Sequence, residues 1–258
     1  MQDETLEKGA PAAKGAQTLM RALDILDEII EGPAKVTDLA QKLSLSRATT
    51  YRLAQALRSR DYLSPTRDGY SLGPKLLQLG SLALEQTDFL RIARTHMEQL
   101  SEQTGFCVFI GKREGDWSRH LDRVTGRQRL RVSTAPGDRR FITETGLGKA
   151  LLLDEDASSL TRLFYEGKPH ASEAQLKAFL SAMEVHRGRQ LVMHESELDD
   201  GVRSVASPVR NAKGQIIMAI SIASAAHYLT DEVTAEIAGP VGSTAIDLSA
   251  AFGYARPE

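Results

Sequence analysis

Apolar residues return at helical spacing in two closely spaced runs near the N-terminus, and these runs frame the reading of the rest of the chain. In Val36–Tyr62, VTDLAQKLSLSRATTYRLAQALRSRDY, the first run puts Val36, Leu39, Ala40 and Leu43 on one face, with Thr37 placed to cap the helix start. The second, with Ser46 as N-cap, puts Tyr51, Leu53, Ala54 and Leu57 on a buried stripe and leaves Arg47, Thr49, Thr50, Arg52 and Arg58 on the opposite face. Upstream, Leu19, Leu23, Leu26 and Ile30, with Ala22 and Ile29 beside them, predict a helix from Gln17 that stops at Gly32-Pro33. Downstream, DYLSPTRDGYSL predicts a hairpin turning at Asp68-Gly69, with Arg67 at its tip. Helix-turn-helix spacing alone suits plain core packing equally well. The hairpin shifts the balance, because a hairpin straight after a recognition helix is a wing, and residues 16–73 then read as a winged helix-turn-helix.

The pattern changes at Leu72-Gly73-Pro74. Leucines at 76, 77, 79, 82 and 84 are too many for one face of a small module, so residues 74–87 are expected to form a linker helix that contributes to a dimer interface. From about Asp88 the periods alternate. Helices are predicted over Leu90–Gln103, Gly146–Leu153, Glu155–Tyr165, Ser172–His186 and Thr230–Phe252. Strands are predicted over Phe106–Gly111, Trp117–Val124, Arg129–Thr134, Val202–Val209 and Ile216–Ser224. The expected fold class is α+β: an N-terminal winged helix-turn-helix, a linker helix and, over 88–254, a C-terminal α/β domain. That domain would hold a curved antiparallel sheet with helices on one side, leaving a pocket between sheet and loops. Residues 1–15 have no period and read as a disordered arm.

Charge sharpens this picture locally. The 258-residue chain has a net charge of −2, yet between positions 42 and 75 seven basic residues (Lys42, Arg47, Arg52, Arg58, Arg60, Arg67, Lys75) stand against two acidic ones (Asp61, Asp68). A basic patch on a balanced protein suits site-selective DNA binding, in which cations position the protein and other groups read sequence. The single cysteine, Cys107 in FCVFI, excludes an internal disulfide or a thiolate zinc cluster. No apolar run is long enough to span a bilayer and the N-terminus lacks the apolar core of a signal peptide, so a cytoplasmic protein with no membrane partner is expected. Enzyme motifs fail on inspection. GLGKAL resembles a phosphate loop, but Thr143 replaces its first glycine and Ala150 the hydroxyl that would hold magnesium. The six histidines lack paired metal-ligand spacing, so no catalytic residue, metal or cofactor is expected.

RALDIL (21–26), TTYRLAQAL (49–57), DGYSLGPKLLQLG (68–80), GLGKALL (146–152), ELDDGVRSVASPVRN (197–211) and MAISIA (218–223) occur in this order. In order and spacing they resemble the IclR-type bacterial transcriptional regulators over residues 17–252. The resemblance implies a C-terminal effector domain for small, often carboxylate-bearing metabolites, and a homodimer or homotetramer on a palindromic double-stranded DNA operator. It implies DNA readers at Ser46, Arg47, Thr49, Thr50 and Arg52, beside which Arg67 and Arg21 are candidate phosphate contacts. It implies an effector site at Gly146, Leu147, His194, Val202, Ser204, Ser221 and Ala223, with backbone N–H groups from Gly146 to Gly148 holding a carboxylate. The chain departs from the family pattern at Leu147, Phe141, Thr143, His194 and Ala223, so no relative's ligand transfers to it.

One strand is anomalous. In WSRHLDRV, Trp117, Arg119 and Leu121 share a face by alternation, and an inward Arg119 would need an anionic partner. Arg119 is expected to meet the effector's carboxylate with His194 or His120 as a second contact; pairing to an internal acid or exposure at an edge accounts for it equally well. Trp117, Phe141 and Leu147 around the pocket favour an aromatic or larger apolar acid. A repressor is expected ahead of an activator. The alternatives are an enzyme or small-molecule carrier with a DNA-targeting module, and a DNA-binding protein whose pocket is filled by its own side chains.

Overall fold

In the computed structural model, which describes residues 14–129, 132–196 and 201–255, helix α1 runs Lys14–Glu28. It starts inside the stretch read as an arm; positions 1–13 lie outside the described residues. Its buried face is rotated from the expected one. Ile25 and Ile29 are sealed, whereas Leu19, Leu23 and Ile30 are exposed. Apolar residues occupy more than one face of α1, so periodicity could not choose among them.

Helix α2 (Val36–Lys42) follows without a side-chain cap: Lys35 holds the N-cap position, and Thr37, expected there, is already inside the helix. Ser44, at φ +53°, turns the chain into α3 (Arg47–Arg58), where Ser46 Oγ accepts the Thr49 N–H at 3.2 Å. Strands β1 (Leu63–Thr66) and β2 (Gly69–Leu72) pair antiparallel with Thr66 opposite Gly69. The tight turn is therefore Arg67-Asp68, one residue before the expected dipeptide. Gly69 is required by contact as well as by its φ of +128°, since a Cβ there would lie 2.1 Å from the Ala34 carbonyl oxygen, beside the Ala34–Tyr70 bridge. Ile25, Ile29, Leu39, Ala54 and Leu63 form the core of this unit, each large aliphatic contributing about 1.5–3 kcal/mol by leaving water. Helix α4 (Pro74–Gln86) exposes Leu77, Leu79 and Leu82. The chain divides after Thr87 into two units.

The second unit opens with α5 (Phe89–Thr104), capped by Asp88 and stopped at left-handed Gly105. Strands β3 (Val108–Glu114), β4 (Trp117–Val124) and β5 (Arg139–Phe141) lead to α6 (Gly146–Leu151), α7 (Ala157–Gly167) and α8 (Glu173–Arg189). Strands β6 (Val192–Glu195), β7 (Val202–Arg210) and β8 (Ile216–Ala225) and helix α9 (Asp231–Ala251) complete it. The strands make one curled antiparallel sheet in the order β5-β4-β3-β8-β7-β6. Of the strand expected at Arg129–Thr134, positions 130 and 131 lie outside the described residues, and 132–134 are not in a strand.

Helices cover both faces of this sheet, which corrects the one-sided expectation. Val108, Ile110, Val205, Ile220 and Ile222 pack with α5 and α9, while Phe109, Ala206 and Ala219 pack with α6, α7 and α8. The near-continuous burial of β7 and β8 follows, because a central strand covered on both faces has no solvent side. Among the described residues no helix is long and apolar enough to cross a membrane, and no cluster of His, Cys, Asp or Glu could hold a metal ion.

Candidate nucleic-acid interface and ligand cavity

Helix α3 begins at a free, capped end. Ser46 Oγ caps the Thr49 amide and also donates to Thr49 Oγ1 at 2.9 Å, so both short hydroxyls are engaged in holding the helix start. Arg47 and Arg52 are exposed, as is Arg67 in the wing turn, and among the described residues none of the three makes an ion pair. Arg21 is half-buried on α1.

Two adjacent positions on α3 are exchanged relative to the sequence reading. Thr50, expected on the reading face, is 0 % exposed and its hydroxyl donates to the Ser46 carbonyl at 3.1 Å. Tyr51, expected in the core, is 52 % exposed. The unit is small, and Thr50 and Ala54 are the buried positions of α3, where a threonine fits and a tyrosine ring would overfill the core. The exposed face of α3 therefore carries Arg47, Tyr51 and Arg52.

In the second unit the sheet face turned toward α6 holds a cavity of about 320 Å³. Every strand of the sheet sends at least one side chain to it. Arg140 comes from β5, His120 from β4, Phe109 from β3, Ser221 from β8, Ser204 from β7 and His194 from β6. Register explains the row: Phe109 lies opposite Ser221, and His194 opposite Ser204, so period-two alternation aims these pairs at one face.

The wall facing the sheet is the start of α6. Thr145 caps it, its Oγ1 accepting the Gly148 N–H at 3.0 Å. A Cβ at Gly146 would stand 2.3 Å from Ser204 Oγ, and one at Gly148 would stand 2.0 Å from the Ile142 carbonyl oxygen, so both glycines are needed for the close approach of helix and sheet. His194 ties the walls together. Its Nδ1 lies 3.1 Å from Lys149 Nζ and its Nε2 3.0 Å from the Glu144 carbonyl oxygen. An ammonium only donates, so Nδ1 accepts and the Nε2–H donates to the carbonyl. His194 thus lines the cavity with both ring nitrogens already engaged.

His120 differs. It is 7 % exposed, stands edge-on to Phe109 at 5.8 Å, and its Nδ1 is buried without a hydrogen-bond partner. Burial pushes its pKa below the ordinary imidazole range, against the nearby Asp138 carboxylate and carbonyl and with the help of the Arg140 cation. Ser204 and Ser221 are 6 % and 2 % exposed, and among the described residues neither hydroxyl has a hydrogen-bond partner.

Eight of the residues expected at the ligand site line the cavity: His120, Gly146, Leu147, His194, Val202, Ser204, Ser221 and Ala223. Four do not. Alternation in β4 runs as predicted but faces the other way, so Trp117 and Arg119 point outward. There Trp117 meets Phe141 edge-on at 5.6 Å beneath Arg139, and Arg119 pairs with Glu114 at 3.3 Å. Phe141, opposite Trp117 in register, shares that outer face. Gly148 is spent on packing against Ile142, and its N–H is taken by the Thr145 cap. Phe109, Thr134, Arg140 and Thr145 are cavity residues that sequence reasoning missed. Phe109 was accessible through the alternation of FCVFI; Arg140 was not, because β5 has only three residues.

Comparison with known proteins identifies both domains. The IclR helix-turn-helix domain model matches residues 18–67, and the bacterial transcriptional regulator IclR C-terminal model matches residues 81–250. The chain is 27% identical over 246 residues to the HTH-type transcriptional regulator XynR of Escherichia coli, covering 92% of this chain and 98% of XynR. It is 27% identical over 254 residues to the HTH-type transcriptional repressor AllR of Salmonella typhimurium, covering 95% and 93%. The crystal structure of the repressor BlcR of Agobacterium tumefaciens superposes with a TM-score of 0.73 at 22% identity, over 95% of this chain and 100% of that one.

Proposed function

The chain belongs to the IclR family of bacterial transcriptional regulators, and from that premise we propose that it is a repressor released from, or fixed to, a palindromic operator by a small organic acid. DNA binding through the helix-turn-helix and an effector-binding C-terminal domain come with family membership. The finer reading assigns residues 16–73 to DNA binding, 74–87 to a linker helix and 88–254 to the effector domain, with a carboxylate-bearing ligand whose body is aromatic or otherwise apolar. Repression is favoured by likeness to AllR, which is described as a repressor.

The observation that carries the reading is the exposed face of α3, where Arg47, Tyr51 and Arg52 stand clear of the core at a capped helix start. Arginines at such an end can fork onto a guanine, worth about 1–3 kcal/mol of discrimination, or neutralise phosphates. Arg67 is assigned a phosphate contact. Thr50 is withdrawn as a reader, and Ser46 and Thr49 act by fixing the helix start. A two-fold dimer would present two such helices to half-sites about 34 Å apart or a multiple of it. The exposed leucines of α4 and of α1 supply apolar surface for that association as dimer or tetramer. An effector shifts operator affinity only by binding one state better than the other, and a coupling of about 1–3 kcal/mol is ordinary.

The test has two steps. Thermal-shift screening against aliphatic and aromatic acids identifies a ligand, and mobility shifts on the gene's own upstream region are then run with and without it. The reading expects a retarded band whose intensity changes with ligand. A ligand that binds without altering the band would overturn effector control.

A further inference from the structure

Among the polar residues that line the cavity, which include Thr134, Glu144, Thr145 and His194, two groupings stand apart. On one side Arg140, with no ion pair among the described residues, stands beside His120, whose buried Nδ1 has no hydrogen-bond partner. On the other, the buried residues Ser221 and Ser204 line the cavity, and among the described residues their hydroxyls bond no protein group. Between them lies the Phe109 ring, opposite Ser221 in register, with Leu147 on the facing wall. A buried polar atom left without a partner, as His120 Nδ1 is, destabilises a fold unless something else satisfies it, and the unpaired Arg140 and the serine hydroxyls around the same cavity mark what else a ligand can meet.

Resting on the reading of this cavity as the effector site, we propose that the effector is recognised at both ends. Its carboxylate pairs with Arg140 and takes a hydrogen bond from His120, and a hydroxyl or carbonyl at the far end bonds Ser221 and Ser204. The order β4-β3-β8-β7 puts His120 two strands from Ser221 and three from Ser204, roughly 10 and 14 Å along the sheet before its curl shortens them. That span holds a ring or a chain of several carbons between two polar groups and is too long for a two- or three-carbon acid. Arg140 supplies the charge, being the arginine that lines the cavity, whereas Lys149 on α6 is engaged with His194. His120 fixes direction: as a neutral imidazole with its proton on the unmet Nδ1, it donates to an oxygen in the cavity without adding a second charge.

Calorimetry on the full chain tests this. The two-ended probes are 4-hydroxybenzoate, 4-hydroxyphenylacetate and adipate; the controls are benzoate, 4-hydroxybenzamide and pyruvate. At least one two-ended acid should bind, and should lose tenfold or more when either end is removed. Arg140→Gln should weaken that acid at least tenfold while leaving the matching amide unchanged, and because Arg140 is solvent-facing its melting temperature should match the wild type. The double change Ser204→Ala with Ser221→Ala should abolish the preference for the far hydroxyl. Equal binding of acid and amide, wild-type affinity in Arg140→Gln, or no binding by any two-ended acid would overturn the proposal. A pyruvate-like ligand that alters the operator band without needing Arg140 would leave effector control intact and end this inference alone. A two-ended acid that binds through Arg140 but leaves the band unchanged would do the reverse.

Discussion

Thr50→Val separates folding from recognition on α3. Thr50 is fully buried, and its hydroxyl donates to a Ser46 carbonyl that also accepts the Thr50 N–H at 3.0 Å. Valine keeps the β-branched shape and removes the hydroxyl, and the carbonyl retains its backbone bond, so no acceptor is orphaned. A neutral hydrogen bond contributes about 0.5–1.5 kcal/mol net, and the methyl gained in its place offsets part of that, leaving a loss of about 0.5 kcal/mol. For a unit of this size the melting point falls by about 2–4 °C. Operator affinity should stay within about twofold, because no atom of Thr50 reaches solvent. Tyr51→Ala should invert the outcome, with stability within about 0.5 kcal/mol of wild type and operator binding weakened about tenfold or more. Urea denaturation gives the first quantity and fluorescence anisotropy on a labelled operator at fixed salt the second. If Thr50→Val lost tenfold in operator affinity, about 1.4 kcal/mol, with an unchanged urea midpoint, the assignment of these two positions would be wrong.

The cap gives a second prediction: Ser46→Ala should cost about 1 kcal/mol in the N-terminal unit, and Ser46→Asp should recover it, read by urea midpoint. Two glycines give opposite signs by thermal melt. Gly148→Ala drives a Cβ into the Ile142 carbonyl and should cost about 1–3 kcal/mol, whereas Gly188→Ala, in α8 with open space around it, should stabilise by about 0.5 kcal/mol. The pH dependence follows from His120 and His186, both pushed down chiefly by burial, with Lys149 and Arg189 adding to the effect at His186. As pH falls below about 6.5 the unfolded chain takes up protons before the folded one, so stability drops until the depressed values are passed. Urea midpoints at pH 7.5, 6.5 and 5.5 should show that slope, and His120→Gln should flatten it; an identical slope in the variant would contradict the assignment.

The sequence made long periodic elements legible and left orientation undecided. Trp117–Val124 was bounded correctly from alternation, yet its inward face was chosen from Trp117 and Leu121, and the sheet in fact turns Ser118 and His120 inward. Alternation tells which side chains share a side and is silent on which side meets the core. The same ambiguity rotated α1 and exchanged Thr50 with Tyr51, where neighbouring residues both tolerate burial. Strands β5 and β6, of three and four residues, are too short to show a period, and with β5 went Arg140. Gly146, Ser204 and Ser221 were found through motif resemblance. What joins them is a helix start pressed within a methyl group's width of β7, and spacing along the chain does not express that distance.

Drawing cavity residues from all six strands of the sheet has an evolutionary reading. Odd and even positions along β3 divide between two trades, Val108 and Ile110 sealing the hydrocarbon layer under α5 and α9 while Phe109 serves the hollow. A point substitution at a hollow-facing position therefore edits one patch of the chamber and leaves the seal behind it untouched. Such a chamber can be retuned one strand at a time toward a new metabolite by a lineage that never has to relearn how to fold.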